Sequence, residues 1–172
     1  MGGLLKQKKL FHLVESDIQD ISKTKLPKFD LLLNLAAQPG VRISRNFAKE
    51  YSRTNVLGFE KICQYCIDKE IDKLIYASSS SVYSDSHSNM FDEKKTSLNP
   101  KSDYGKSKLK NEKYARKIAD SNNISVVGLR FFSVYGPFGR PDMAYYKFTK
   151  ALLNSEQITL NNNGLMFRDM TY

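Results

Sequence analysis

Three short apolar runs constrain this chain more than anything else in it: FDLLLNLAAQ (29–38), KLIYASSSSVY (73–83) and ISVVGLRFFSVYG (124–136). In each, hydrophobic positions run on instead of alternating with polar ones, the pattern of a strand buried on both faces. The stretches between them, at about residues 44–70 and 103–122, carry apolar residues at helical period. Strand, helix, strand, helix, strand predicts an α/β fold with a parallel sheet and right-handed crossovers. LFHLVESDIQD (10–20) offers one further strand, and SDSHSNMFDEKKTSLNP (84–100) is a polar excursion.

Composition narrows the setting. A chain of 172 residues with 41% hydrophobic and 26% charged residues is expected to be one soluble globular domain. No apolar run approaches the roughly 18 residues of a membrane helix, and the start carries no secretory pattern, so the expected location is cytoplasmic and no membrane partner is expected. Cys63 and Cys66, in CQYC, match a redox spacing, but their helical context favours a buried structural role. The net charge of +9 gathers lysines in KQKK, KTKLPK and KSKLKNEKYARK. No aromatic-interleaved RNA motif or zinc module accompanies them, so nucleic acid is not an expected partner. A positive field would draw an anionic substrate.

In parallel sheets, ligands bind at the carboxyl ends of the strands. Here the first run ends in the small residues Ala36 and Ala37, and the second in hydroxyls from Ser78 to Ser81. The third leads to Ser133, Tyr135 and GPFGRPDM, which carries Arg140. The helix between the second and third runs opens with SDYGKSK, in which Tyr104 and Lys108 lie four apart and share a face. A phenol that is to act as a base near neutrality needs its pKa lowered by about 3 units, or ~4 kcal/mol. A close ammonium and a cationic cofactor ring would together supply that, and a serine hydroxyl beside the phenol would hold the oxygen that loses its proton.

The stretches LNLAAQPGVRIS, NVLGFEKI, LIYASSSSVYS, YGKSK, LRFFSVYGPFGRPDMAYYKFTKALL and NNGLMFRDMTY together resemble the extended short-chain dehydrogenase/reductases. Within these the chain is similar to NAD-dependent nucleotide-sugar epimerases, and most of all to UDP-glucuronate 4-epimerases. GPFGRPDMA and RDMTY carry the likeness to the uronate subgroup.

The resemblance implies a Rossmann-like NAD-binding part over 1–135 and the beginning of a substrate-binding part over 136–172. It implies NAD as cofactor, a UDP-glucuronate-like nucleotide sugar as substrate, and a homodimer in the full-length form. By it, Tyr104 takes the proton from the sugar 4-hydroxyl, and Lys108 lowers the phenol's pKa and holds the nicotinamide ribose. Ser79, with Ser80 beside it, assists at the same oxygen. Asp17 and Ile18 lie near the adenine, Ala36, Ala37 and Asn55 line the cofactor, and Phe132 and Ser133 approach nicotinamide and sugar. Arg168 meets the substrate diphosphate, and Arg140, an always-charged bidentate donor, meets the uronate carboxylate. The implied chemistry is transient oxidation at C4 with return of the hydride to the other face.

The chain departs from this family in two places. It has nine glycines, yet no G-x-x-G-x-x-G turn to seat a cofactor pyrophosphate, and Gly2 and Gly3 stand alone. Ser84 stands where the family has glycine. The expectation is therefore an internal piece of an epimerase that lacks the N-terminal glycine-rich βαβ unit, is inactive by itself and binds NAD weakly. A UDP-glucuronate decarboxylase, another nucleotide-sugar epimerase or dehydratase, and a non-catalytic Rossmann-like interaction module with a basic surface stay open as alternatives.

Overall fold

The computed structural model describes residues 11–39, 48–83, 90–94, 97–165 and 167–172. Gly2, Gly3, the KQKK run and Ser84 lie outside the described residues. The three apolar runs form β1 (Leu31–Asn34), β2 (Lys73–Ala77) and β3 (Ser125–Leu129), all parallel and in that spatial order. Leu33 pairs with Ile75 and Ile75 with Val127, so the three strand ends finish side by side.

Two helical crossovers connect them. The first is an α turn, α1 (Ala48–Glu50), then a π-helical segment (Tyr51–Leu57), then α2 (Gly58–Asp68). The second is α3 (Asp103–Ser121), whose N-cap Ser102 accepts the backbone N–H of Gly105 at 3.0 Å, satisfying one of the orphan donors of a helix start. Phe59, Ile62 and Cys66 of α2 and Ala115 and Ile118 of α3 meet Leu74 and Tyr76 of β2 in one core cluster. The Phe59 and Tyr76 rings lie 4.8 Å apart.

Among the described residues only one face of the sheet is covered, which corrects the expectation of strands buried on both. Leu31, Leu33, Val127 and Leu129 are exposed, Leu33 by 55%. Both long helices pack on the face that carries Leu32, Leu74, Tyr76 and Val126. The outward positions are themselves Leu and Val, so the sequence has the texture of two-sided burial even though one side is open. The further strand expected in LFHLVESDIQD is absent among the described residues of that stretch. Asp17 caps Gln19 N at 2.9 Å and starts a 3-10 helix, Ile18–Lys23, instead. Both cysteines are buried and free, and burial pushes Cys66 up to about 11 and Cys63 up to about 12. That is the behaviour of small core residues.

Beyond β3 the chain forms β4 (Ser133–Val134), α4 (Ala144–Leu153) and β5 (Met170–Thr171). β5 returns to pair in parallel with β4. Among the described residues no helix is long and apolar enough to cross a membrane.

Candidate active site

The first turns of α3 press against the end of β2 because Gly105 has no side chain. A Cβ there would lie 2.3 Å from the carbonyl oxygen of Ser81 and 2.8 Å from Cβ of Pro100. This approach brings Tyr104 close enough to Ser79 for that hydroxyl to draw the phenol's pKa down. Ser79 is buried and caps the short turn Ser80–Val82, accepting from Ser81 N at 3.1 Å. Ser80 N donates to the carbonyl of Phe131 at 2.9 Å, tying the same strand end to the residue that follows β3 and Arg130.

Lys108 lies one turn along α3 and is 3% exposed. Its Nζ sits 5.7 Å from the centre of the Tyr104 ring and donates to the Ala77 carbonyl at 2.7 Å. Burial pushes this ammonium down to about 8. The phenol of Tyr104 is pushed up, mainly by burial; the Ser79 hydrogen bond and the charge of Arg140 pull it down, while Tyr51 pushes it up. The sequence led us to expect Lys108 to lower the phenol. In the chain itself the net direction is upward, and the cation that pulls it down is Arg140.

Arg140 is half-exposed and already holds a carboxylate. Its Nε donates to Asp142 Oδ1 at 3.0 Å and its Nη2 to the other oxygen. The pair holds Asp142 below the usual carboxylate range. The guanidinium therefore has the bidentate geometry that a substrate carboxylate would need.

The π-helical segment serves the same site. Asn55 is buried, with its Oδ1 accepting from Gln38 N at 2.7 Å. Its Nδ2 donates to the Gln38 carbonyl at 3.1 Å and to Ser107 Oγ at 3.3 Å. Ser107 Oγ donates in turn to the carbonyl of Tyr104 at 2.7 Å. Asn55 thus links the loop after β1, which carries Ala36 and Ala37, to the turn that carries Tyr104. Tyr51, in the same segment, brings its ring to 6.2 Å from that of Tyr104.

Other expected site residues lie further out. Asp17 pairs with Arg53 and caps its own helix, while Ile18 packs on Gly58 at the start of α2. Phe132 N donates to Thr171 Oγ1 at 3.2 Å, and Ser133 lies in β4. Arg168 is exposed just before β5, and among the described residues no hydrogen bond or ion pair links it to the Tyr104 turn.

The structure also adds a group that the sequence reading passed over. Glu112, two turns beyond Tyr104 on the same stripe of α3, accepts from Ser78 Oγ at 2.5 Å. It is forked by Arg130, with Nε at 2.9 Å and Nη2 at 2.8 Å. The spacing Tyr104, Lys108, Glu112, with an arginine inside the third apolar run, was the available signal.

Comparison with known proteins adds four findings. A family model described as the NAD dependent epimerase/dehydratase family matches residues 3–172. Protein CapI of Staphylococcus aureus is 45% identical over 143 residues, covering 83% of this chain and 43% of that protein. UDP-glucuronate 4-epimerase 4 of Arabidopsis thaliana is 37% identical over 180 residues, covering 99% of this chain and 40% of that protein. Among solved structures, UDP-glucuronic acid 4-epimerase from Bacillus cereus, in complex with UDP-glucuronic acid and NAD, superposes with a TM-score of 0.81 at 30% identity. That match covers 99% of this chain and 55% of the other. The chain thus spans about half the length of the relatives it matches.

Proposed function

Because this chain belongs to the NAD dependent epimerase/dehydratase family, we propose that it carries the catalytic turn of a nucleotide-sugar 4-epimerase acting on UDP-glucuronate. One observation carries the reading: a half-buried tyrosine whose phenol a buried strand-end serine draws down in pKa, with a buried lysine one helical turn away. The choice of UDP-glucuronate rests on similarity to relatives that bear that name.

The residues present fit an NAD ribose and nicotinamide. Lys108 uses one of its three N–H donors on Ala77, and among the described residues the other two have no protein acceptor, which leaves them for ribose hydroxyls. Ala36 and Ala37 present small side chains after β1. Asn55 holds that loop, Phe132 and Ser133 follow β3, and Asp17 with Ile18 stands on the adenine side. When bound, NAD would supply a reversible hydride acceptor for the sugar C4 and a cationic ring that favours the phenolate.

Every other role falls to the chain. Tyr104 removes the proton from the sugar 4-hydroxyl and gives it back. Ser79, with Ser80 as its neighbour, holds that oxygen while charge develops on it. Arg140 exchanges Asp142 for the uronate carboxylate, which restrains a 4-keto uronate from losing carbon dioxide. Arg168 meets the diphosphate. We assign residues 1–135 to the cofactor part and 136–172 to the start of the substrate part.

Since the chain covers about half of its relatives, the test uses a chimera that joins it to the flanking segments of the plant enzyme. Incubation with NAD and UDP-glucuronate should yield the C4 epimer, identified by NMR. Tyr104→Phe should lower turnover by roughly 10²–10⁴-fold with NAD still bound. A near-normal rate in that variant would remove Tyr104 from the role of base, and a decarboxylated pentose product would move the reading to a decarboxylase.

A further inference from the structure

We propose that Glu112, forked by Arg130, is a positioning residue that keeps the end of β2 seated on α3 and so holds Ser79 on Tyr104 and keeps Lys108 out of water. The inference rests on the reading of Tyr104, Ser79 and Lys108 as the reacting constellation. Three consecutive strand-end residues are each gripped by one residue of a single helical stripe. Lys108 takes the Ala77 carbonyl at 2.7 Å and Glu112 takes the Ser78 hydroxyl at 2.5 Å, while the Tyr104 phenol lies within reach of the Ser79 hydroxyl, which draws its pKa down. The grips fall at helix positions i, i+4 and i+8, so any shift of the strand end relative to the helix disturbs all three together.

Arg130 is what makes the middle grip stiff. It forks both oxygens of Glu112, lies 4.9 Å over the Tyr83 ring and reaches the Glu93 carbonyl at 3.4 Å. The Glu112 and Arg130 side chains are only 15% and 17% exposed, so water screens the pair little and its geometry is well defined. The carboxylate therefore joins α3, the end of β2 and the residue after β3 at one point. A buried pair needs a further donor on its carboxylate, and the donor this pair uses is Ser78. Its tether to the residue between Ala77 and Ser79 links the pair to the site.

The test follows Lys108 in the chain itself, by the pH titration of its 13Cε resonance in lysine-labelled protein, assigned with Lys108→Met. It needs neither cofactor nor sugar, so it succeeds or fails independently of whether Tyr104 is the base. Ser78→Ala cuts the tether and leaves the ion pair intact; Glu112→Gln removes the fork. In both, the Lys108 midpoint should move from about 8 toward the ordinary lysine value by at least ~0.5 unit, a roughly threefold change in protonation equilibrium. Arg130→Lys, which keeps the charge and loses the fork, should fall between. Midpoints unmoved in Ser78→Ala and Glu112→Gln, with only the melting temperature lowered, would reduce the pair to a structural one. If Glu112→Gln does not fold, Ser78→Ala decides alone.

Discussion

Lys108 offers a measurable consequence of burying an ammonium. Its folded-state pKa is pushed from 10.5 down to about 8, by burial. When the pKa is depressed in the folded state, the unfolded chain binds the proton more tightly, so stability rises with pH through the window between the two values. That window runs from about 8 to 10.5, and below it the charged form costs the fold about 3 kcal/mol. Tyr104, Tyr76, Tyr114 and both cysteines are pushed up and act in the opposite sense at higher pH. The measurement must therefore be a difference.

Urea unfolding of the chain and of Lys108→Met, each followed by far-UV circular dichroism, isolates the lysine. Between about pH 7.5 and 9.5 the parent should gain about 2 kcal/mol relative to the variant. At the low end of the range the methionine variant should be the more stable of the two, less what it loses by giving up the Ala77 hydrogen bond. A pH-independent difference across the range would mean that Lys108 titrates as an exposed lysine. The packing of α3 against the end of β2 would then be looser than described.

Two further outcomes test the frame around the site. Gly105→Ala places a methyl group 2.3 Å from a backbone carbonyl oxygen and should cost about 1–3 kcal/mol, read as a fall in melting temperature. Asn55→Ala removes both bonds to Gln38 and one to Ser107. It should cost about 1–3 kcal/mol in urea unfolding, since it leaves the part-buried backbone groups of Gln38 unmet.

Much of this arrangement was legible beforehand, for reasons that differ from element to element. The three strands and two long crossovers declared themselves through runs of Leu, Ile and Val and through helical periodicity, both of which are local. Tyr104 and Lys108 were legible because four-residue spacing on a helix fixes a shared face. What escaped the sequence depends on three dimensions. Periodicity near LVESDIQD gave no sign that the Asp17 side chain would cap a 3-10 turn. Nothing local distinguishes a leucine on the covered side of β1 from one on the open side. The upward direction at Tyr104 is a desolvation effect, set by everything packed around the ring, and a motif of four residues does not contain it. Glu112 was hidden among the charges of KSKLKNEKYARK, where only its contact with Ser78 and Arg130 sets it apart from its solvated neighbours.

The open face of the sheet makes concentration a thermodynamic variable for this chain. Leu31, Leu33, Val127 and Leu129 form an apolar surface that water covers only at a cost. Any second copy, detergent monomer or dye that covers it gains what water loses. An unfolding midpoint, an NMR linewidth or a titration measured on the chain therefore carries a contribution from whatever shares the tube with it. Dilution series belong beside every such measurement, because any partner that covers this face adds its own term to the free energy of the folded state.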